Sequence, residues 1–199
     1  MRIASRSLRV LAAVALSTVT MASSSEAQGK LRGMARLGGE VGGEKVLEFQ
    51  YADGSTPEMT AGGGLLISVG AALEVFKAVD AQVNAGWKYR TIPEASNQDA
   101  SWNRFPVEAM LFYRTPLGLR LGGGATVHLG NVLEASGDVL NDRVEFKTNP
   151  GFLLQAEYVI KNFSFDVRYT SMKYEVESGG TGTVDASSFG AGFSFLFGR

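Results

Sequence analysis

His128 is the only histidine of the 199-residue chain, and it lies in the segment His128-Leu129-Gly130-Asn131. A histidine within hydrogen-bond reach of a serine can activate that hydroxyl as a nucleophile. Glu134 and Ser136 follow shortly after, but nothing in this segment places Ser136 beside the imidazole. We therefore expect His128 to hydrogen-bond a neighbouring polar group, and we predict no catalytic residue.

A second set of candidates consists of charged side chains that recur at alternate positions along the chain. A charge enclosed in a protein interior is tolerated when a partner of opposite sign accompanies it. A pore selective for one sign of ion would show an excess of that sign, whereas the two signs are balanced here. We predict a network of paired charges inside the fold, formed by Arg36, Glu40, Glu74, Asp80, Lys88, Arg90, Glu108, Arg114, Arg120, Glu157, Asp166 and Arg168.

The composition excludes several other kinds of site. The chain contains no Cys, which removes disulfides, thiolate metal sites and cysteine nucleophiles. Asp138 and Asp142 lack the spacing of an EF-hand, so we predict no metal site and no cofactor. A formal net charge of −1 also argues against nucleic-acid binding, which requires a cationic excess.

The elements that position these charges have a two-residue period, which is typical of β-strands with two unlike faces. In the segment 80–91, for example, Val83, Trp87 and Tyr89 alternate with Gln82, Asn84 and Lys88. No long window shows the 3.6-residue period of a helix. Eight strands are predicted, at 35–42 (continuing through Leu47, Phe49 and Tyr51), 65–74, 80–91, 105–114, 117–129, 152–160, 163–169 and 188–197.

The connections between these strands alternate in length. Short turns are expected near 76–79, 115–118 and 161–162, and longer polar loops at 52–60, 92–103, 130–148 and 176–186. Strands joined in this way predict an all-β fold, an eight-stranded antiparallel up-and-down barrel. The segments 92–103 and 130–148 are candidate surfaces for a partner.

The residue types on the two faces indicate a transmembrane barrel. The polar face is rich in Gly, Ser and Thr with single charges, which suits a crowded lumen, and the apolar face is uninterrupted. The alternative is a soluble periplasmic barrel in which the apolar face would line an internal cavity for a ligand.

The N-terminal segment predicts export. Arg2, Arg6 and Arg9 precede an uncharged apolar run that ends at Ser25-Glu26-Ala27. This order is typical of a cleaved secretory signal peptide. We expect a signal peptide at 1–27 and a barrel domain at 28–199.

The segment 189–197, whose aromatic residues Phe189, Phe193, Phe195 and Phe197 alternate, resembles the C-terminal strand of Gram-negative outer-membrane barrels. In pattern the whole mature chain is similar to small barrels of the OmpA, OmpX and OmpW type. The resemblance implies an outer-membrane location, contact with membrane lipid and lipopolysaccharide, and insertion by the barrel-insertion machinery, with the C-terminal strand as its signal. The family usually ends on Phe, whereas Gly198 and Arg199 follow here.

His128 carries a weaker resemblance. Its segment is similar to the H-x-S-N segment of outer-membrane lipid A deacylases, but Gly130 occupies the position of the serine nucleophile. The resulting expectation is a non-enzymatic protein with a structural or surface-binding role and a side-chain-filled lumen. The alternatives are a narrow, porin-like channel for small solutes and, further off, a lipid A-modifying enzyme.

Overall fold

The computed structural model describes residues 30–48, 54, 56–95, 98–137, 142–177 and 182–198. The predicted signal peptide at 1–27 lies outside the described residues, as do Phe49 and Tyr51. In the described part of the chain, no helix is long and apolar enough to cross a membrane. The strands are β1 (Leu31–Val41), β2 (Lys45–Glu48), β3 (Glu58–Thr60), β4 (Gly64–Phe76), β5 (Val79–Ala95), β6 (Gln98–Arg114), β7 (Leu119–Gly137), β8 (Asp142–Thr148), β9 (Gly151–Ile160), β10 (Phe163–Ser171), β11 (Lys173–Val176), β12 (Thr183–Asp185) and β13 (Ser188–Phe197).

Antiparallel pairing closes eight of these strands into a barrel, in the order β1-β4-β5-β6-β7-β9-β10-β13. The first and last strands close it, with Gly33 opposite Phe197 and Val41 opposite Phe189. Closure leaves no strand edge open in the barrel wall. The predicted fold, an eight-stranded antiparallel up-and-down barrel, is confirmed.

Three short turns connect strands at one end, which we call the proximal end. They join β4 to β5, β6 to β7 and β9 to β10. Each contains a residue with positive φ: Ala78 at 69°, Gly118 at 79° and Lys161 at 56°. The other end, called the distal end, carries the longer connections.

The wall of the barrel has an apolar outer face and a polar inner face. In β9, Leu153, Gln155 and Glu157 are buried, while Phe152 and Leu154 point outward and are 49% and 54% exposed. The other barrel strands follow the same alternation. The soluble barrel, in which the apolar face would line the interior, is therefore the wrong alternative.

At the distal end the chain continues as strand beyond the barrel. This extension consists of β2, β3, β8, β11, β12 and the distal residues 90–95, 98–104 and 130–137 of β5, β6 and β7. The segments 92–103 and 130–148, which we expected to be polar loops, are mostly paired strands. The loop prediction was wrong because apolar residues in these segments still alternate with polar ones; here the apolar residues point inward and the polar ones toward water.

A bulge in β7 reverses which residues point inward. Before Gly130, even-numbered residues such as Thr126 and His128 are buried; after it, odd-numbered Leu133 and Ala135 are buried. The register of β6 against β7 shifts at this level, and Gly130 has φ 55°. A single extra residue moves every later side chain to the opposite face. The apolar set of β7 thus faces outward in the barrel and inward in the extension.

A second interruption lies between β8 and β9, at Asn149 and Pro150. Both strands pair with β7: β8 pairs through its residues up to Phe146, and β9 pairs through residues that begin at Gly151. Proline has no N–H to donate to a ladder, which accounts for the break. Buried residues change here from odd-numbered in β9 to even-numbered in β8, so this strand reverses its faces as β7 does.

Replacing Gly130 by Ala tests the bulge. A side chain at φ 55° costs about 1–2 kcal/mol, so we expect the Gly130→Ala variant to unfold at lower urea concentration in detergent. Gly39→Ala is the control, because Gly39 lies in a barrel strand where an added Cβ meets nothing within 4 Å. Equal midpoints for the two variants would show that the bulge does not depend on this glycine.

Candidate functional site

Most of the charged side chains that we predicted to form a network are buried on the inner face of the barrel. Near the proximal end Asp80 lies 3.4 Å from both Arg114 and Arg120, and 3.5 Å from Arg32. Arg114 also pairs with Glu74 at 2.8 Å and Arg120 with Glu157 at 2.5 Å. One buried aspartate thus faces three guanidinium groups, and two further carboxylates balance their charge.

Arg36 and Asp166 form a two-point ion pair across the interior. Arg36 Nε and Nη2 donate to the two carboxylate oxygens of Asp166 at 2.9 and 2.7 Å. Both side chains are almost completely buried, with 1% and 0% exposure. A bidentate Arg–carboxylate pair fixes orientation as well as neutralising charge.

Toward the distal end, the carboxylate of Glu40 contacts several donors. Lys88 Nζ lies 2.5 Å from it, Arg168 Nε 3.4 Å, and Ser188 donates its hydroxyl at 2.8 Å. Arg168 also donates to Glu108 at 2.6 Å. These bonds link β1, β5, β6, β10 and β13 across the lumen.

Glycines on the inner face provide the volume that these long side chains occupy. A Cβ on Gly38 or Gly192 would collide with the guanidinium of Arg36, and one on Gly190 would collide with Glu40. A Cβ on Gly122 would collide with the ring of Phe112, over which Arg120 stacks at 4.3 Å. The inner face is therefore filled by side chains that reach across from opposite strands.

Two arginines do not fit the predicted network of paired charges: Arg90 was predicted to belong to it, and Arg104 was not. Arg90 donates to the backbone carbonyl of Glu58 at 3.4 Å and forms no ion pair with a described carboxylate. Arg104, which sequence reasoning missed, is fully buried and donates to the carbonyls of Ala61 and Gly63 at 2.6 Å. Arg104 could have been found from the alternation in β6, because it falls among the even-numbered residues that point inward. It was missed because it adjoins 92–103, which was interpreted as a loop.

The extension encloses an apolar core. Its buried members come mainly from β3, β5, β6, β7, β8 and β11, while β2 and β12 add partly buried residues. They include Trp102, Phe146 and Tyr174, whose rings pack with centroids 5.2–6.2 Å apart. Arg104 stacks on Trp102 at 4.7 Å, where this core meets the charged lumen.

The outer face of the extension is charged. There Lys45 lies 2.9 Å from Glu48 and from Glu58, and hydrogen bonds to these carboxylates raise the pKa of Lys45 to about 12.

His128 and Ser136 are not brought together. His128 is buried, with Nδ1 2.6 Å from the hydroxyl oxygen of Tyr174. Ser136 is exposed on the extension and donates to Asp99 at 2.6 Å. The described residues also include no group of three or more His, Asp or Glu side chains that could hold a metal ion.

The C-terminal aromatic residues form a continuous outward stripe. Phe189, Phe193, Phe195 and Phe197 are 43–67% exposed along β13. Neighbouring strands add Tyr169, 4.8 Å from Phe189, and Phe163, 5.2 Å from Phe195, as centroid distances. The stripe therefore belongs to the apolar outer face of the wall.

Comparisons with known proteins identify the fold. No protein-family model and no curated protein matches the sequence. The crystal structure of Ail, the attachment invasion locus protein of Yersinia pestis, is similar with a TM-score of 0.56 at 14% identity, covering 85% of this chain and 99% of that one. Ail in complex with the heparin analogue sucrose octasulfate gives 0.53 at 15% identity, with the same two coverages.

The outer membrane protein AlkL, solved by solid-state NMR in lipid bilayers, is similar with a TM-score of 0.50 at 17% identity, covering 89% of this chain and 94% of that one. At these identities the similarity concerns the fold. The chain thus has the architecture of the small eight-stranded outer-membrane barrels.

The Arg36–Asp166 pair provides a test of the lumen. Replacing Asp166 by Asn leaves a buried guanidinium without its counter-charge, so we expect Asp166→Asn to lower the free energy of unfolding by about 3–5 kcal/mol. The double variant Arg36→Met/Asp166→Asn should recover part of this loss. The matched exposed pair is Arg143–Glu134, with side chains 58% and 50% exposed. There Glu134→Gln should change stability by less than about 1 kcal/mol; a similar loss at both sites would contradict a buried lumen pair.

Proposed function

We propose that this protein is a closed outer-membrane barrel that acts at the cell surface by binding or by a structural role, and that transports no solute through its lumen. The predicted signal peptide would direct its export, and the C-terminal aromatic stripe would be read by the barrel-insertion machinery. Membrane lipid and lipopolysaccharide would surround its wall.

The apolar outer face supports the membrane location. Outward side chains such as Phe165, Val167 and Leu111 are 58–61% exposed, and they belong to a surface that surrounds the barrel section. Soluble monomers rarely expose apolar patches of this extent. A hydrocarbon environment removes this surface from water, and the closed ladder satisfies the backbone within it.

Side chains occupy the interior at two successive levels, and this supports a closed lumen. In the barrel section, ion pairs and the cluster of Met110, Phe112 and Leu153 occupy the space between the walls. In the extension, the core around Trp102 and Phe146 lies distal to them. An eight-stranded barrel is only wide enough for side chains to fill its interior.

The extension would form the surface that partners meet, and its charge limits their chemistry. Apart from the buried Arg104, acidic residues of the extension and its connections (Glu44, Glu48, Glu58, Asp99, Glu134, Asp142, Glu145, Glu175, Glu177 and Asp185) outnumber basic ones (Lys45, Arg90, Arg143, Lys147 and Lys173). Ail was crystallised with a polyanion, sucrose octasulfate. The acidic excess here disfavours polyanions and favours cationic partners by charge complementarity.

The alternative, a narrow solute channel, is tested by conductance. We expect the purified protein to give no stable current steps in planar bilayers. The double variant Trp102→Ala/Phe146→Ala should also stay closed, because the barrel section remains filled when the extension core is reduced. A heat-modifiable shift on detergent gels serves as the control for folding. Steady conductance from the folded wild type would contradict the closed state, and opening of the double variant alone would contradict the filling of the barrel section.

A further inference from the structure

The only histidine of the chain lies at the junction between the barrel section and the extension. His128 is buried two residues before the bulge at Gly130. Its Nδ1 lies 2.6 Å from the hydroxyl oxygen of Tyr174, whose ring packs in the extension core against Trp102 and Phe146. The imidazole therefore connects the lumen wall of β7 with the core of the extension.

The hydroxyl of Tyr174 is arranged to meet an uncharged imidazole. Burial raises the pKa of Tyr174 to about 12, so the hydroxyl keeps its proton. The guanidinium of Arg104 interacts with the same hydroxyl, and an arginine can only donate. The oxygen of Tyr174 thus accepts from Arg104, and its O–H donates to Nδ1 of His128. A protonated imidazole carries an N–H at both nitrogens and cannot accept this bond.

The charges around His128 also leave no partner for an imidazolium. Among the described residues, the charged groups that act most strongly on the ring are three cations and one carboxylate: Lys88 from β5, Arg104 from β6, Arg168 from β10 and Glu40 from β1. Glu40 already contacts Lys88 and Arg168, and Glu108 of β6 accepts from Arg168. A proton on His128 would add a fourth positive charge to this group.

Release of the extension removes these constraints. When Tyr174 moves away, His128 becomes hydrated and titrates as a free imidazole does, near about pH 6.5. Because the closed arrangement needs the neutral ring, its stability is complete above about pH 6.5 and falls as the pH drops below that value. Free carboxylates titrate near about pH 4, so mildly acidic conditions separate the effect of His128 from theirs.

We propose that His128 is a pH-sensitive link, which holds the extension core on the barrel at neutral pH and releases it in a mildly acidic medium. The barrel section keeps its own ion pairs and stays closed, so the change is confined to the extension. This inference goes beyond the proposed function, because it gives the surface of the extension a response to proton concentration.

The test is hydrogen exchange of the full mature protein in phosphatidylcholine nanodiscs, followed by mass spectrometry and corrected for the intrinsic effect of pH on exchange. From about pH 7.5 to about pH 5, the protection of extension peptides that contain Trp102 or Phe146 should fall up to about thirtyfold, as expected when opening takes up one proton. Barrel peptides that contain Val83 or Leu121 should keep their protection.

His128→Asn is the variant that isolates the link, because its amide oxygen can accept from Tyr174 and its side chain does not titrate. The protection of its extension should change less than about threefold over the same range. Ser136→Ala removes an exposed hydroxyl from the same strand and should respond as the wild type does. His128→Gln replaces the Asn variant if that variant lacks the heat-modifiable shift of a folded barrel.

Constant protection of the extension in the wild type would overturn the link without any variant, and an equal fall in the folded His128 variant would overturn it as well. Parallel loss of protection in the extension and the barrel would also overturn it, since it would show general unfolding. These results leave the proposed surface role standing. That role fails instead if the protein does not enter bilayers or if its folded form conducts.

Discussion

The pairing of charges inside the barrel is the interaction on which the rest of the structure depends. Once the apolar faces of the strands point outward, the polar faces must enclose every Arg, Lys, Asp and Glu that they carry. Such charges are stable only with partners at bonding distance. Arg36 reaches Asp166 because Gly38 and Gly192 leave room for its guanidinium. The glycines, the strand register and the closed lumen are thus consequences of one requirement.

In the extension the strands must bury their apolar side chains and expose their polar ones, the opposite of the barrel section. Outside the membrane an apolar face must turn inward, so the faces of some strands have to be exchanged. Gly130 does this in β7 by a bulge, and the break at Pro150 does it between β8 and β9. β6 keeps the same face inward throughout. Its buried residues change from polar in the barrel, as at Glu108, to apolar in the extension, as at Trp102. Arg104 lies between the two environments and stacks on Trp102 while bonding backbone carbonyls.

The sequence was sufficient to predict the barrel strands because a two-residue period is a local property, visible in segments such as 80–91. Most of the lumen charges could be assigned for the same reason. Their partners could not, because Arg168 and Glu108 are 60 residues apart and meet only when the barrel closes. The extension was missed at 130–148, where one extra residue at Gly130 reverses the faces and interrupts the period. It was missed at 92–103 because the inward residues there change from polar to apolar, as at Ile92 and Trp102.

We infer that the apolar surface faces lipid in the barrel and a protein core in the extension. The chain has two tryptophans, and they fall on either side of this division: Trp87 is 42% exposed on the outer wall and Trp102 is 0% exposed in the extension core. Fluorescence quenching by brominated lipids in vesicles, measured on Trp102→Phe and Trp87→Phe variants that each retain one tryptophan, tests it directly. We expect strong quenching of Trp87 by brominated lipid, with Trp102 shielded from both brominated lipid and aqueous iodide. Quenching of Trp102 by brominated lipid, with Trp87 accessible to iodide alone, would contradict it.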